Sequence, residues 1–167
     1  PSRFPANLPN KPCERAQHVP IGEKPGNRVQ AFYQEPWQMD GGAMDRLSAL
    51  SASGGLTMGY YDASKTTMWK LARQFALGDA MFHSAFGGSF LNHSFLVCSC
   101  AFTWPNAPKE RVAKLAPDGT MLTNGSVTPD GYAVNTIQSV FLHAAKYTDP
   151  TQLLPPQTMP HIGDRLD

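Results

Sequence analysis

The chain has 167 residues, 41% of them hydrophobic and only 16% charged, with fourteen Gly and fifteen Pro, a balance that suits one globular, loop-rich domain. Its formal net charge of +1 is spread without any Lys/Arg cluster, which argues against a nucleic-acid partner, since phosphate-backbone affinity needs a concentrated basic footprint. No apolar run approaches the ~20 residues of a membrane span, and the opening Pro-Ser-Arg-Phe-Pro has no signal-peptide pattern, so any export signal is expected upstream of residue 1.

Residues 1–28 are proline-punctuated and read as an extended arm. The short apolar and aromatic stretch Val29 to Tyr33 suits a strand or one helical turn, closed off by Gly41-Gly42, and Met44, Leu47, Ala49 and Leu50 predict a short helix ending at Gly54-Gly55. The clearest helix follows Ser64 as N-cap and places Met68, Leu71, Ala72 and Phe75 on one face expected to be buried. Asp79 to Ser84 is a strand candidate running into Gly87-Gly88. Ser89 comes next, then a second helical stripe of Leu91, Phe95, Cys98 and Phe102, ended by Trp104-Pro105-Asn106. A hairpin is expected around Pro117-Asp118-Gly119 and Asn124-Gly125. Ala133 to Ala145 has mixed periodicity, and residues 151–167 read as a proline-rich connector.

Three cysteines are an odd count. Cys98 and Cys100 lie too close for a comfortable bridge if both are helical, so Cys13 pairing with one of them and three reduced thiols remain the open alternatives.

A serine opening a helix after two glycines sits where unpaired backbone N–H groups meet the positive end of the helix dipole, a place where anions settle. Asn92 and His93 return to the same side of that helix. Ser is also a favoured N-cap and Gly-Gly a common turn, so the residues alone read first as plain capping. Other readings of this serine meet specific obstacles. Gly87-Gly88-Ser89-Phe90-Leu91 has Leu where an α/β-hydrolase elbow needs its second Gly. The sequence contains no G-x-x-x-x-G-K-[ST], C-x-P-x-R, C-x-x-C or H-E-x-x-H.

Four stretches together, Met58-Gly-Tyr-Tyr-Asp62, Met68-Trp-Lys-Leu-Ala72, Phe86-Gly-Gly-Ser-Phe-Leu-Asn-His93 and Val127-Thr-Pro-Asp-Gly-Tyr-Ala-Val-Asn-Thr136, resemble the acid phosphatase branch of the bacterial phosphoesterase family. That family also holds phospholipases C and belongs to the alkaline phosphatase superfamily. The stretches Ala31 to Glu35, Gln38 to Gly42 and Leu154 to Thr158 extend the likeness over nearly the whole chain. The resemblance implies an α/β fold, a portion of an alkaline-phosphatase-like three-layer sandwich, with residues 29–150 as its nucleophile-bearing part. It implies Ser89 as nucleophile and metal ligand, Gly88, Asn92 and His93 as substrate-binding residues, and a divalent metal ion that activates the serine. His93 stands where the phospholipases carry Arg, which favours the phosphatase branch.

The implied substrate is a small phosphate ester, and the implied location is the periplasm or the exterior. The family's Glu-Asn motif and late Asp-rich motif do not occur in these residues, and Gln30 stands where the family often has His. The expectation is therefore a segment of a larger catalytic domain, inactive alone. By the residues, His83 is a lesser candidate for the substrate site; His18, His143 and His161 match no motif, and Asp130 and Asn135 read as turn and loop residues. Tyr60, Tyr61, Phe86 and Phe90 read as core or pocket wall.

Overall fold

A computed structural model of the chain describes residues 12–23, 31–141 and 144–166. The expectations for residues 1–11, for Val29 and Gln30 and for His143 lie outside the described residues. The chain is mixed α/β, with three small sheets, few helices and much loop, and it divides into two compact units. One comprises Pro1–Val29 and Pro36–Phe82; the other comprises Gln30–Glu35 and His83–Asp167.

In the first unit, part of the proline-rich arm is tied down. Strand β1 (Cys13–Glu14) runs parallel to β2 (Gly59–Tyr60), with Cys13 opposite Gly59 and Glu14 opposite Tyr60. The buried Arg15 stacks its guanidinium 5.4 Å from the Tyr61 ring centre, and the Tyr61 hydroxyl donates to the Val19 carbonyl at 3.1 Å. Short helix α1 (Glu35–Met39) ends in a 3-10 turn over Asp40–Gly42. The helix expected from Met44 to Leu50 does not form. Met44 takes the left-handed φ of 56°, which breaks a helix, and residues 47–50 make only turns before a 3-10 segment at Gly54–Met58.

Helix α2 (Thr67–Gln74) starts two residues later than expected. Asp62 claims Ser64 through bonds to its N–H and its hydroxyl, so Thr66 becomes the N-cap and accepts the Trp69 N–H at 3.2 Å. Its apolar stripe is not buried: Met68 is 74% and Phe75 72% exposed, and no residue of α2 is buried. Periodicity marks the face a helix would bury, not whether a partner stands against it.

The second unit packs around Trp104, Val127, Ala133, Ile137 and Leu154, with Phe90 and Phe102 against them edge to face at 6.0 Å. Helix α3 (Ser89–Cys98) packs against this core through Phe90, and Leu91 is buried as well. Residues 79–84, expected as a strand, are irregular and exposed. Among the described residues no strand pairs with this segment, and Met81 and Phe82 point to solvent.

Strand β3 (Phe102–Thr103) pairs antiparallel with β6 (Tyr132–Ala133), Phe102 opposite Ala133. The expected hairpin forms from β4 (Lys114–Leu115) and β5 (Met121–Thr123), its turn closed by Gly119 N–H to Ala116 carbonyl at 2.9 Å and by Asp118 accepting the Thr120 N–H at 2.9 Å. Asn124-Gly125 is not part of that turn. A Cβ on Gly125 would lie 2.2 Å from the Ala113 nitrogen, so the backbone of 111–113 passes directly against it and only glycine fits. The unassigned stretch after Ala133 is held by a bridge between Ser139 and Leu154, and the tail carries 3-10 turns at Pro150–Gln152 and Ile162–Arg165.

Both open readings of the cysteines are corrected. Cys98 and Cys100 form a disulfide and Cys13 is free. The helix stops at Cys98 and Ser99 adopts a left-handed φ of 51°, which brings the two Cα atoms to 5.1 Å, inside the range a bridge needs. Because so short a loop constrains the unfolded chain little, replacing both by Ser is expected to cost about 1 to 2 kcal/mol. Urea unfolding checks this, and an unchanged midpoint would contradict it.

Candidate functional site at the start of helix α3

Ser89 is the first residue of α3, and Gly88, with ordinary φ of −72° and ψ of −176°, is the N-cap. No side chain caps this helix, so the serine hydroxyl is not spent on capping, and Ser89 is exposed. The first helical bond runs from the Asn92 N–H to the Gly88 carbonyl at 3.2 Å. Helix geometry thus leaves the N–H groups of Ser89, Phe90 and Leu91 without intrahelical acceptors, at the positive end of ten aligned peptide dipoles.

The glycine turn itself depends on Gly87 more than on Gly88. Gly87 has φ of 139°, and a Cβ there would meet Leu91 Cδ2 at 2.9 Å and Phe32 Cδ2 at 3.4 Å. Asn92, assigned to the substrate by resemblance, is 3% exposed and uses its amide on the turn instead. Its Nδ2 donates to the carbonyls of Gly87 (2.9 Å) and Gly88 (3.2 Å), while Oδ1 accepts the Ala85 N–H at 3.1 Å. Asn92 therefore shapes the loop that delivers Ser89.

His93 is exposed, and its Nδ1 lies 2.5 Å from the Ser89 carbonyl oxygen. A carbonyl only accepts, so Nδ1 carries the hydrogen of this bond. His83 is exposed on the irregular segment leading into the turn.

The segment Phe32 to Glu35, not singled out for chemistry by sequence, reaches this turn. The Phe32 ring meets Phe86 edge to face at 5.9 Å and Tyr33 at 5.1 Å. Burial, with the Asp130 charge second, raises the Tyr33 pKa above its ordinary value, and burial also raises that of Glu35. Phe90 packs against the core, whereas Phe86 is exposed. The signal for the Phe32 segment was available in the aromatic pair Phe32-Tyr33, but its sequence distance from Ser89 hid it. Asp130 sits in the expected Pro-Asp-Gly turn, closed by Gly131 N–H to Thr128 carbonyl at 2.9 Å.

A groove of about 470 Å³ lies at the opposite end of α3, lined by Val97, Cys98, Phe102, Phe141, Leu154 and Met159 among others, away from Ser89. Among the described residues no group of three or more His, Cys, Asp or Glu side chains is placed to hold a metal ion. Of the metal ligands expected by resemblance, Ser89 lies among the described residues. No helix of the described residues is long and apolar enough to cross a membrane.

An exposed hydroxyl among free helix-terminal amides is an arrangement that can receive an anion. The profile of the Phosphoesterase family matches residues 5–167. The chain belongs to the Phosphoesterase family, whose class of chemistry is the hydrolysis of phosphoric esters. No curated protein and no solved structure matches it.

Proposed function

We propose that this protein is an acid-phosphatase-like hydrolase of phosphate monoesters in which Ser89 is the nucleophile. The observation that carries the reading is the exposed, uncapped Ser89 hydroxyl at the first turn of α3, beside three N–H groups with no helical acceptor. In the proposed reaction Ser89 Oγ attacks phosphorus as the ester P–O bond breaks. The proton lost from Oγ passes to the leaving alkoxide, and water then attacks the phosphoserine, the P–Oγ bond breaking as a proton from the water restores the hydroxyl and phosphate is released.

The amides of Ser89 and Phe90 and the N-cap at Gly88 hold the phosphoryl oxygens, and His93, one helical turn on, is a further contact for the same group. A divalent metal ion, with Ser89 as one ligand, belongs to this proposal by resemblance; bound, it supplies Lewis acidity and lowers the serine pKa. Its other ligands, like the rest of the alkaline-phosphatase-like sandwich, would come from the remainder of a larger catalytic domain, and these residues alone are expected to be inactive. Export to the periplasm or exterior is proposed on the same likeness.

The test is turnover by the longest natural protein carrying these residues, with an aryl phosphate monoester and with a phosphocholine ester, before and after dialysis against a chelator. Monoester hydrolysis that is lost with chelator and restored by a divalent ion is expected. Preference for the phosphocholine ester would move the reading to a phospholipase C. No turnover of either would leave only a non-catalytic anion-binding protein.

A further inference from the structure

We infer that Asn135 is a positioning residue for the nucleophile turn, acting through Phe32; the inference rests on the reading of Ser89 as the reacting group. Asn135 lies two residues past β6 and spends its side-chain amide in two directions. Oδ1 accepts the Phe32 N–H at 2.8 Å, bridging 103 residues of sequence, and Nδ2 donates to the Gly125 carbonyl at 2.7 Å.

The Gly125 end is a rigid anchor. The backbone of 111–113 leaves no room for a Cβ at Gly125, and the next residues are bonded to that backbone through Ser126 N–H and Val127 N–H to the Arg111 carbonyl, at 2.8 and 3.0 Å. The Phe32 end is the working end. Its ring lies 3.4 Å from where a Cβ on Gly87 would sit and meets Phe86 edge to face, so it packs against the same turn that Asn92 holds through the Gly87 and Gly88 carbonyls.

Asn135 thereby ties the position of Phe32 to the core of its unit. Losing the amide leaves the Phe32 N–H and the Gly125 carbonyl unpaired and frees Phe32 to drift from Gly87. Displacement of that order in a group supporting a reacting atom is felt in the chemical step more than in substrate affinity.

The test uses Asn135→Ala and Asn135→Asp, the second keeping the acceptor for the Phe32 N–H. Amide hydrogen exchange reads the turn at Phe32, Ala85 and Asn92, whose N–H groups are bonded to Asn135 Oδ1, Asn92 Oδ1 and the Gly88 carbonyl. Ala116 and Val140, bonded to the Thr120 and Leu154 carbonyls, serve as references in the same unit. Asn135→Ala is expected to speed exchange about tenfold at the three turn amides and not at the references, and to lower kcat on an aryl phosphate about tenfold with KM little changed. Asn135→Asp should restore part of both effects.

Unchanged turn amides, or acceleration shared equally by the references, would overturn the inference, because either means that Asn135 supports the unit as a whole or not at all. Exchange does not depend on which residue reacts. If the turn amides respond while Ser89→Ala leaves turnover intact, Asn135 still positions the turn and it is the Ser89 reading that fails.

Discussion

Ser89→Ala is expected to lower turnover of an aryl phosphate by at least about 10³-fold, with thermal unfolding unchanged. The size follows from removing the atom that forms the covalent intermediate; enzymes deprived of their nucleophile retain only what binding and electrostatics supply. The small effect on stability follows from the geometry. The residue is exposed, its hydroxyl does not cap α3, and Gly88 occupies the N-cap position, so Ala loses no structural bond there and is a good helix former. A capping serine would behave oppositely, costing about 1 kcal/mol of stability and little activity. Measuring both quantities on one variant separates the two roles.

Gly87→Ala is expected to cost about 2 to 3 kcal/mol in urea unfolding and about 100-fold in kcat/KM. At φ of 139° an L side chain is strained whatever the space, and here the added methyl also meets Leu91 and Phe32. Leu91 is buried, so its side chain has little room to give way and the strain falls on the turn next to Ser89. Gly88→Ala is the control: φ of −72° is open to any residue, so its backbone imposes no comparable strain. A Gly87→Ala protein as stable and as active as the parent would show that the turn relaxes without moving the serine.

What sequence showed best was local chemistry with a fixed spacing. The Pro117-Asp118-Gly119 hairpin, the Pro129-Asp130-Gly131 turn and the helix opening at Ser89 all appear where their residues put them, because turn and cap preferences act within a few residues. What it showed poorly depended on distant partners. The stripe of Met68, Leu71 and Phe75 falls on α2 and its C-cap but stays exposed. Asp79 to Ser84 has a plausible strand composition and, among the described residues, pairs with no strand.

The cysteines were misjudged because a single left-handed residue, Ser99, ended the helix one step before Cys100. At the site, Ser89 and its neighbours were legible from the glycine pair and the eight-residue motif. The division of labour was not: Asn92, on the same helical side as Ser89 by spacing, proves to be a buried brace for the turn, and Phe32 and Asn135 join it from far along the chain.

The phosphoryl group itself gives the most direct test. The longest natural protein carrying these residues is mixed with an aryl phosphate, quenched in acid during turnover, and the peptide containing Ser89 is examined by mass spectrometry. One phosphoryl group on Ser89 is expected, lost when turnover is allowed to finish. Phosphate release with that peptide unmodified throughout, or with the phosphoryl group on another side chain, would contradict it.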